Sequence, residues 1–112
     1  MMGSLTPIVW ADTFQEGLEA YREGEYERAF NIFLPFAEQG DAAAQYNLGL
    51  MYDVGTGVPQ DYKKALIWYT KAAEQGYVWA QYNLGLMYAE GKGVPEDYKQ
   101  ALIWYTKAAE QG

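Results

Sequence analysis

The chain has 112 residues, half of them hydrophobic, with four Trp, no Cys, no His and a formal net charge of −7. That length suits one domain with its own core. The missing Cys and His exclude disulfides, thiol nucleophiles, imidazole bases and the usual zinc ligands, and the negative charge disfavours nucleic acid and anionic membranes.

Residues 1–10 read as an N-terminal lead-in. Val9-Trp10-Ala11 resembles a signal-peptidase site before Asp12, yet no basic region precedes it and the short apolar stretch contains Pro7. A flexible lead-in and the tail of an export signal both fit. The second inclines the localisation towards an exported or periplasmic protein rather than a cytoplasmic one. No apolar run approaches the roughly 18 residues of a membrane-crossing helix, so no membrane insertion is expected.

Three units follow, at 11–40, 41–76 and 77–112. Residues 55–62, GTGVPQDY, raise the question of a phosphate-cradling glycine loop. No Lys-Ser or Lys-Thr follows the second glycine. The stretch returns as GKGVPEDY at 91–98, and the surrounding 33 residues, 44–76 and 80–112, differ at only five positions. A recurring glycine pair marks a structural turn once per unit. Unit one is degenerate: AEQG at 37–40 matches 73–76 and 109–112, but YREGEY replaces the longer turn.

Each unit reads as two helices. Ala44, Leu48 and Met51 recur at helical spacing with Tyr52 beside them, and Gly49 sits mid-helix where helices approach closely. Gly55 and Gly57 end the first helix, Pro59 and Asp61 open the second, and Tyr62, Ala65, Tyr69 and Ala72 form its buried stripe before Gly76. The corresponding residues in unit three are Ala80, Leu84, Met87, Tyr88, Tyr98, Ala101, Tyr105 and Ala108. Large rings alternating with Ala and Gly predict six helices in three antiparallel pairs, an all-α solenoid. Lys63, Lys64, Lys71, Glu74, Lys99, Lys107 and Glu110 read as its solvated outer face.

The segments AQYNLGLMY, GTGVPQDY and WYTKAAEQG resemble Sel-one-like repeats, α/α units related to tetratricopeptide repeats. Unit one, FQEGLEAYREGEYERAF, is closer to a plain tetratricopeptide turn. The resemblance implies a right-handed superhelix, no catalytic activity and no cofactor. It also implies a scaffold or adaptor role with a protein or peptide partner, as in bacterial members that are often exported. It places the ligand on a concave face lined by the first helices. There the residues left by the core stripe are Tyr46, Asn47, Leu50 and Asp53, then Trp79, Tyr82, Asn83, Leu86, Ala89 and Glu90. Phe14, Glu16 and Leu18 are the counterparts in unit one. Tyr46 and Tyr82 also fit as half-buried spacers, Asn47 and Asn83 as partners of a backbone turn, and Trp79 as packing on the preceding helix.

The groove reads as apolar and mildly acidic, which suits an apolar or basic segment. Two other functions are weighed. An enzyme would need a carboxylate pair such as Glu90 and Glu96, with no nucleophile–base set in view. A self-associating unit would use the apolar surface left at an uncapped terminal unit, closing head to head or extending head to tail.

Overall fold

The protein is described by a computed structural model covering residues 12–112. The lead-in and the Val9-Trp10-Ala11 sequence lie outside the described residues. Six helices follow one another: α1 (Phe14–Arg22), α2 (Tyr26–Glu38), α3 (Ala42–Val54), α4 (Tyr62–Glu74), α5 (Val78–Glu90) and α6 (Tyr98–Glu110). There are no strands among the described residues. Each helix packs chiefly on the one before and the one after it. The molecule is accordingly long, 58 × 28 × 20 Å, with a radius of gyration of 15.7 Å, against about 13 Å for a compact chain of this length. The expected α-solenoid is present.

The local chemistry sets each boundary. Asp41, Asp61 and Asp97 cap α3, α4 and α6, each carboxylate accepting a backbone N–H of the first turn. Thr13 and Glu16 form a reciprocal capping box on α1. Gly55 and Gly91 end α3 and α5 in the left-handed region, with φ of 85° and 68°. The second glycine of each pair has another reason. A Cβ on Gly57 would stand 2.6 Å from the Tyr26 carbonyl oxygen, and one on Gly93 the same distance from that of Tyr62. The glycine-rich stretch is therefore a turn pressed onto the start of the previous unit's second helix.

Two features join the units. Within each, a second-helix ring fills the space over a first-helix glycine: Phe33 over Gly17, Tyr69 over Gly49, Tyr105 over Gly85. Between units, glutamines form a repeated link. Buried Gln45 donates to the Ala37 carbonyl at 3.1 Å, while Gln75 donates to Gly40 O at 2.9 Å and to Gln45 Oε1 at 2.8 Å. Gln81 and Gln111 repeat this on Ala73 and Gly76 one unit later. These bonds satisfy amides that would otherwise be buried at a cost.

The two ends differ in kind. Ala44, Leu48 and Met51 of α3 sit in one core with Ala20, Ala29, Phe33 and Ala37 of unit one, so they form the face that α3 turns towards the preceding unit. Aligning Gly17 with Gly49 places Asp12, just ahead of α1, and Glu16 and Glu19 of α1 at those positions. That face of unit one is thus polar. On α6 the opposite holds. Tyr62, Leu66, Tyr69, Ala72 and Ala73 are covered by α5. Their counterparts Tyr98 and Leu102 are 67% and 65% exposed, and Tyr105, Ala108 and Ala109 are half-buried or exposed.

Candidate functional site

The first helices bring the sequence-selected residues together in three places. At the junction of units two and three, Tyr46, Asp53 and Asn83 converge on Tyr69. The Tyr69 hydroxyl donates to Asp53 Oδ2 at 3.0 Å. Asn83 of α5 lies near enough to the Tyr46 and Tyr69 oxygens to favour their ionised forms. Tyr46 packs against the rings of Tyr69 and Tyr77, with centroids 5.9 and 5.2 Å away. Burial pushes the Tyr69 phenol far above its ordinary pKa, and the neighbouring Asp53 carboxylate adds to the shift. Burial raises Tyr46 too, followed by the proximity of Tyr77, while Asn83 pulls it part of the way back. Tyr46 is half-buried here.

The sign of the Tyr69 shift gives a testable pH dependence. Its folded pKa lies above the unfolded value of about 10. Its contribution to stability is therefore intact below about pH 10 and is lost as the pH rises further, where the unfolded chain ionises and the fold resists ionisation. Tyr69→Phe is expected to flatten the loss of stability above pH 10 in alkaline denaturation curves. At neutral pH it should cost only about 1 kcal/mol, one hydrogen bond, because Phe33 already occupies the same position in unit one.

The second place lies between units one and two. Leu18, Tyr21 and Arg22 of α1, Tyr26 and Phe33 of α2, and Asn47 and Leu50 of α3 line a cavity of about 470 Å³. Asn47 corresponds to Asn83, but its surroundings differ. Aligned on the glycines, Phe14 and Phe33 stand where Tyr46 and Tyr69 stand one unit later, their centroids 5.3 Å apart. Neither ring carries a hydroxyl. The side-chain hydrogen bonds of α3 and its cap involve Asp41, Gln45 and Asp53; among the described residues none is formed by Asn47, and none by Asn83.

The third place is beside the open end. Trp79 and Tyr82 are 61% and 48% exposed. With Val78, Tyr105, Ala108 and Ala109 they line a groove of about 430 Å³. Trp79 therefore stands clear of the preceding helix to a large extent. Tyr77, which replaces the Asp41 cap, makes no side-chain cap of its own and packs on Tyr46 instead.

Three other selected residues lie apart from these places. Glu90 pairs with Lys92 at 3.3 Å in the turn, and that pairing raises the Lys92 pKa. Leu86 is half-buried on α5. Glu16, a counterpart chosen in unit one, accepts from the Thr13 backbone N–H at 2.7 Å and belongs to the cap. Sequence reasoning placed Tyr69 and Tyr105 on the core stripe alone and passed over Tyr21, Arg22 and Tyr26. The Phe-for-Tyr change at 33 against 69 was the available signal for the different surroundings of Asn47. It lay in the least regular unit, where alignment is weakest.

The Sel1 repeat profile matches residues 11–41, 42–77 and 80–112. The chain belongs to the Sel1 repeat family. A Sel1 repeat protein from Oxalobacter formigenes is 42% identical with a TM-score of 0.84 over 88% of this chain and 41% of its own. The c5321 protective antigen of uropathogenic Escherichia coli strains, which displays an SLR fold, is 42% identical with a TM-score of 0.83 over 100% of this chain and 26% of its own. The cysteine rich protein B of Helicobacter pylori shares the fold, with a TM-score of 0.73 and 22% identity over 90% of this chain and 92% of its own. Among curated proteins, the rat DAP3-binding cell death enhancer 1 is 41% identical over 51 residues, 46% of this chain and 10% of that protein. The chain thus spans a tenth of that relative and under half of the first two structures. Sel1 repeats are in general protein–protein interaction modules.

Proposed function

We propose that the chain is a non-catalytic adaptor that takes an apolar segment of a partner protein on the concave face of its first helices. The observation that carries this reading is the 61% exposure of Trp79 on α5, a large ring where unit two has Ala43. Large rings held over small residues are the common form of a binding anchor, because they bury much area with few rotatable bonds. The helix pairs supply the rigidity that keeps the entropy cost of binding low. Trp79→Ala with Tyr82→Ala is expected to reduce capture of a partner from source-cell extract at least about tenfold, two anchors being worth about 2 kcal/mol or more together. Circular dichroism should show an unchanged helix content. Equal capture by both chains would remove this face from the function.

The end asymmetry favours a second reading, self-association. The apolar surface of Tyr98 and Leu102 on α6 would suit a twofold pair. Leu102 lies on the downstream face outside the groove. If mass by sedimentation rises with concentration and Leu102→Glu abolishes the rise, pairing through this end gains over the adaptor reading. A mass that stays at one chain removes it.

A further inference from the structure

We infer that Tyr26, with the apolar cavity it lines, is a subsite for one basic side chain of a partner segment and the apolar residue next to it. This rests on the adaptor reading and names the chemistry of one part of it. The repeat itself supplies the comparison. One unit later the same position is Tyr62. The Lys92 ammonium stands over that ring, 5.3 Å from its centroid, and pairs with Glu90 at 3.3 Å. Lys92 belongs to the turn whose Gly93 presses on the Tyr62 carbonyl, and Gly57 presses on that of Tyr26 in the same way. The earlier turn, however, carries Thr56 at the Lys92 position and Val54 at the Glu90 position. Tyr26 is thus seated like Tyr62 without its cation. Among the described residues the cations found over rings are Lys64, Lys71, Lys92 and Lys107, and none is over Tyr26 or Tyr21. Tyr26 is 38% exposed.

The surroundings have the sign that a cation needs. Glu19, Glu23, Glu25 and Glu27 are all exposed at the junction of α1 and α2. Of the two arginines there, Arg28 is held by Asp12 and Glu25, and Arg22 is outnumbered by Glu19 and Glu23 in its own stretch of chain. These acids attract a base from a distance. The ring fixes where the base sits, because its face carries the negative end of the quadrupole. Tyr21 adds a second ring, its centroid 4.9 Å from that of Tyr26. Beyond the two tyrosines the cavity continues in carbon through Leu18, Phe33 and Leu50, so the residue beside the base is apolar. The local charge agrees in sign with the chain total of −7.

The test uses two fluorescently labelled, N-acetylated and C-amidated octapeptides. One carries Leu-Phe-Lys-Leu at its centre and the other Leu-Phe-Gln-Leu. Binding to the whole chain is followed by polarisation. The wild type is expected to bind the Lys peptide about fourfold more tightly, the scale of one partly exposed cation over a ring. Tyr26→Leu removes the ring and keeps every charge, so it should bring the ratio to about one. A preference due to net charge alone would survive it. Thr56→Lys supplies the chain's own lysine. The turn admits it, because Gly55 and Gly57 hold φ of 85° and 77° where Gly91 and Gly93 around Lys92 hold 68° and 73°. That variant should also lose the Lys preference, whereas Thr56→Gln should keep it, each variant retaining its helix content. Equal affinity for the two peptides, a Lys preference that survives Tyr26→Leu or Thr56→Lys, or no binding of either at about millimolar concentration overturns the subsite. The adaptor reading is judged separately, by capture from extract, and outlives each of these results if the Trp79→Ala/Tyr82→Ala chain loses its partner.

Discussion

Ala73→Asp is expected to unfold the chain, and Ala109→Asp is expected to leave it folded. The two alanines occupy the same position in the identical stretch WYTKAAEQG, at 68–76 and 104–112. Both lie in the last turn of a helix, where a carboxylate opposes the helix dipole and lowers helix propensity by the same few tenths of a kcal/mol. Those local costs cancel in the comparison. The surroundings do not cancel. Ala73 is 1% exposed against α5, in one core with Ala80, Leu84 and Met87, and its carbonyl accepts from buried Gln81. A carboxylate there must be buried unpaired or must force α5 away, at a cost of several kcal/mol, most of the stability of a domain this size. Ala109 faces solvent. Its variant should stay within about 1 kcal/mol of the parent in urea denaturation. Similar losses from both variants would mean that α4 and α5 are not held together as described.

The same contrast shows what was legible in the residues. Repetition exposed the architecture, because a turn that recurs every 36 residues, as GTGVPQDY does in GKGVPEDY, cannot be a solitary ligand loop. Helical spacing gave the stripe through Ala44, Leu48 and Met51, and all three are buried. Identical sequence could not reveal different environments. Asn47 and Asn83 sit in the same AQYNLG, yet Asn83 lies near the hydroxyls of Tyr46 and Tyr69, whose counterparts in unit one are the phenylalanines at 14 and 33. That difference resides in residues 14 and 33, on other helices. The Gln45–Gln75 link was equally hidden: two polar residues 30 positions apart carry no periodic signal, and only stacking brings them together. Glu90 looked available from helical position alone. The lysine that neutralises it lies in the following turn and replaces Thr56 of the previous unit.

The ends carry a further consequence for function. A solenoid unit is specified by its own two helices and by the face its neighbour offers. Unit one carries Asp12, Glu16 and Glu19 where α3 carries Ala44, Leu48 and Met51. The downstream face keeps the ring-and-alanine surface of an internal unit. Trp79 borders that surface, so a partner seated on the Trp79 groove also touches Ala108 and Ala109. On the two proposed readings, partner binding and pairing through α6 would compete for the same atoms, and a chain paired through this end should take its partner poorly.

Gly49→Ala tests the packing that creates these faces, and it is expected to destabilise the chain by about 2 kcal/mol, roughly 10 °C in Tm. On helix propensity alone the change should help by about 1 kcal/mol. The opposing effect is steric. A Cβ at Gly49 would run into the ring of Tyr69, which is wholly buried and fixed at its hydroxyl end by Asp53. Movement of that ring would break the hydrogen bond and displace Tyr46 together with it. Gly85 offers the internal comparison, since a Cβ there would stand 2.7 Å from Tyr105 Cε1. Tyr105 is half-buried, and residue 89 is Ala where unit two has Asp53, so that ring can swing outward. Gly85→Ala should therefore cost at least about 1 kcal/mol less than Gly49→Ala, the propensity gain being common to both. Equal costs at the two glycines would show that the Tyr69–Asp53 bond does not anchor the ring, and the rigidity assigned to the junction of units two and three would have to come from the glutamine link alone.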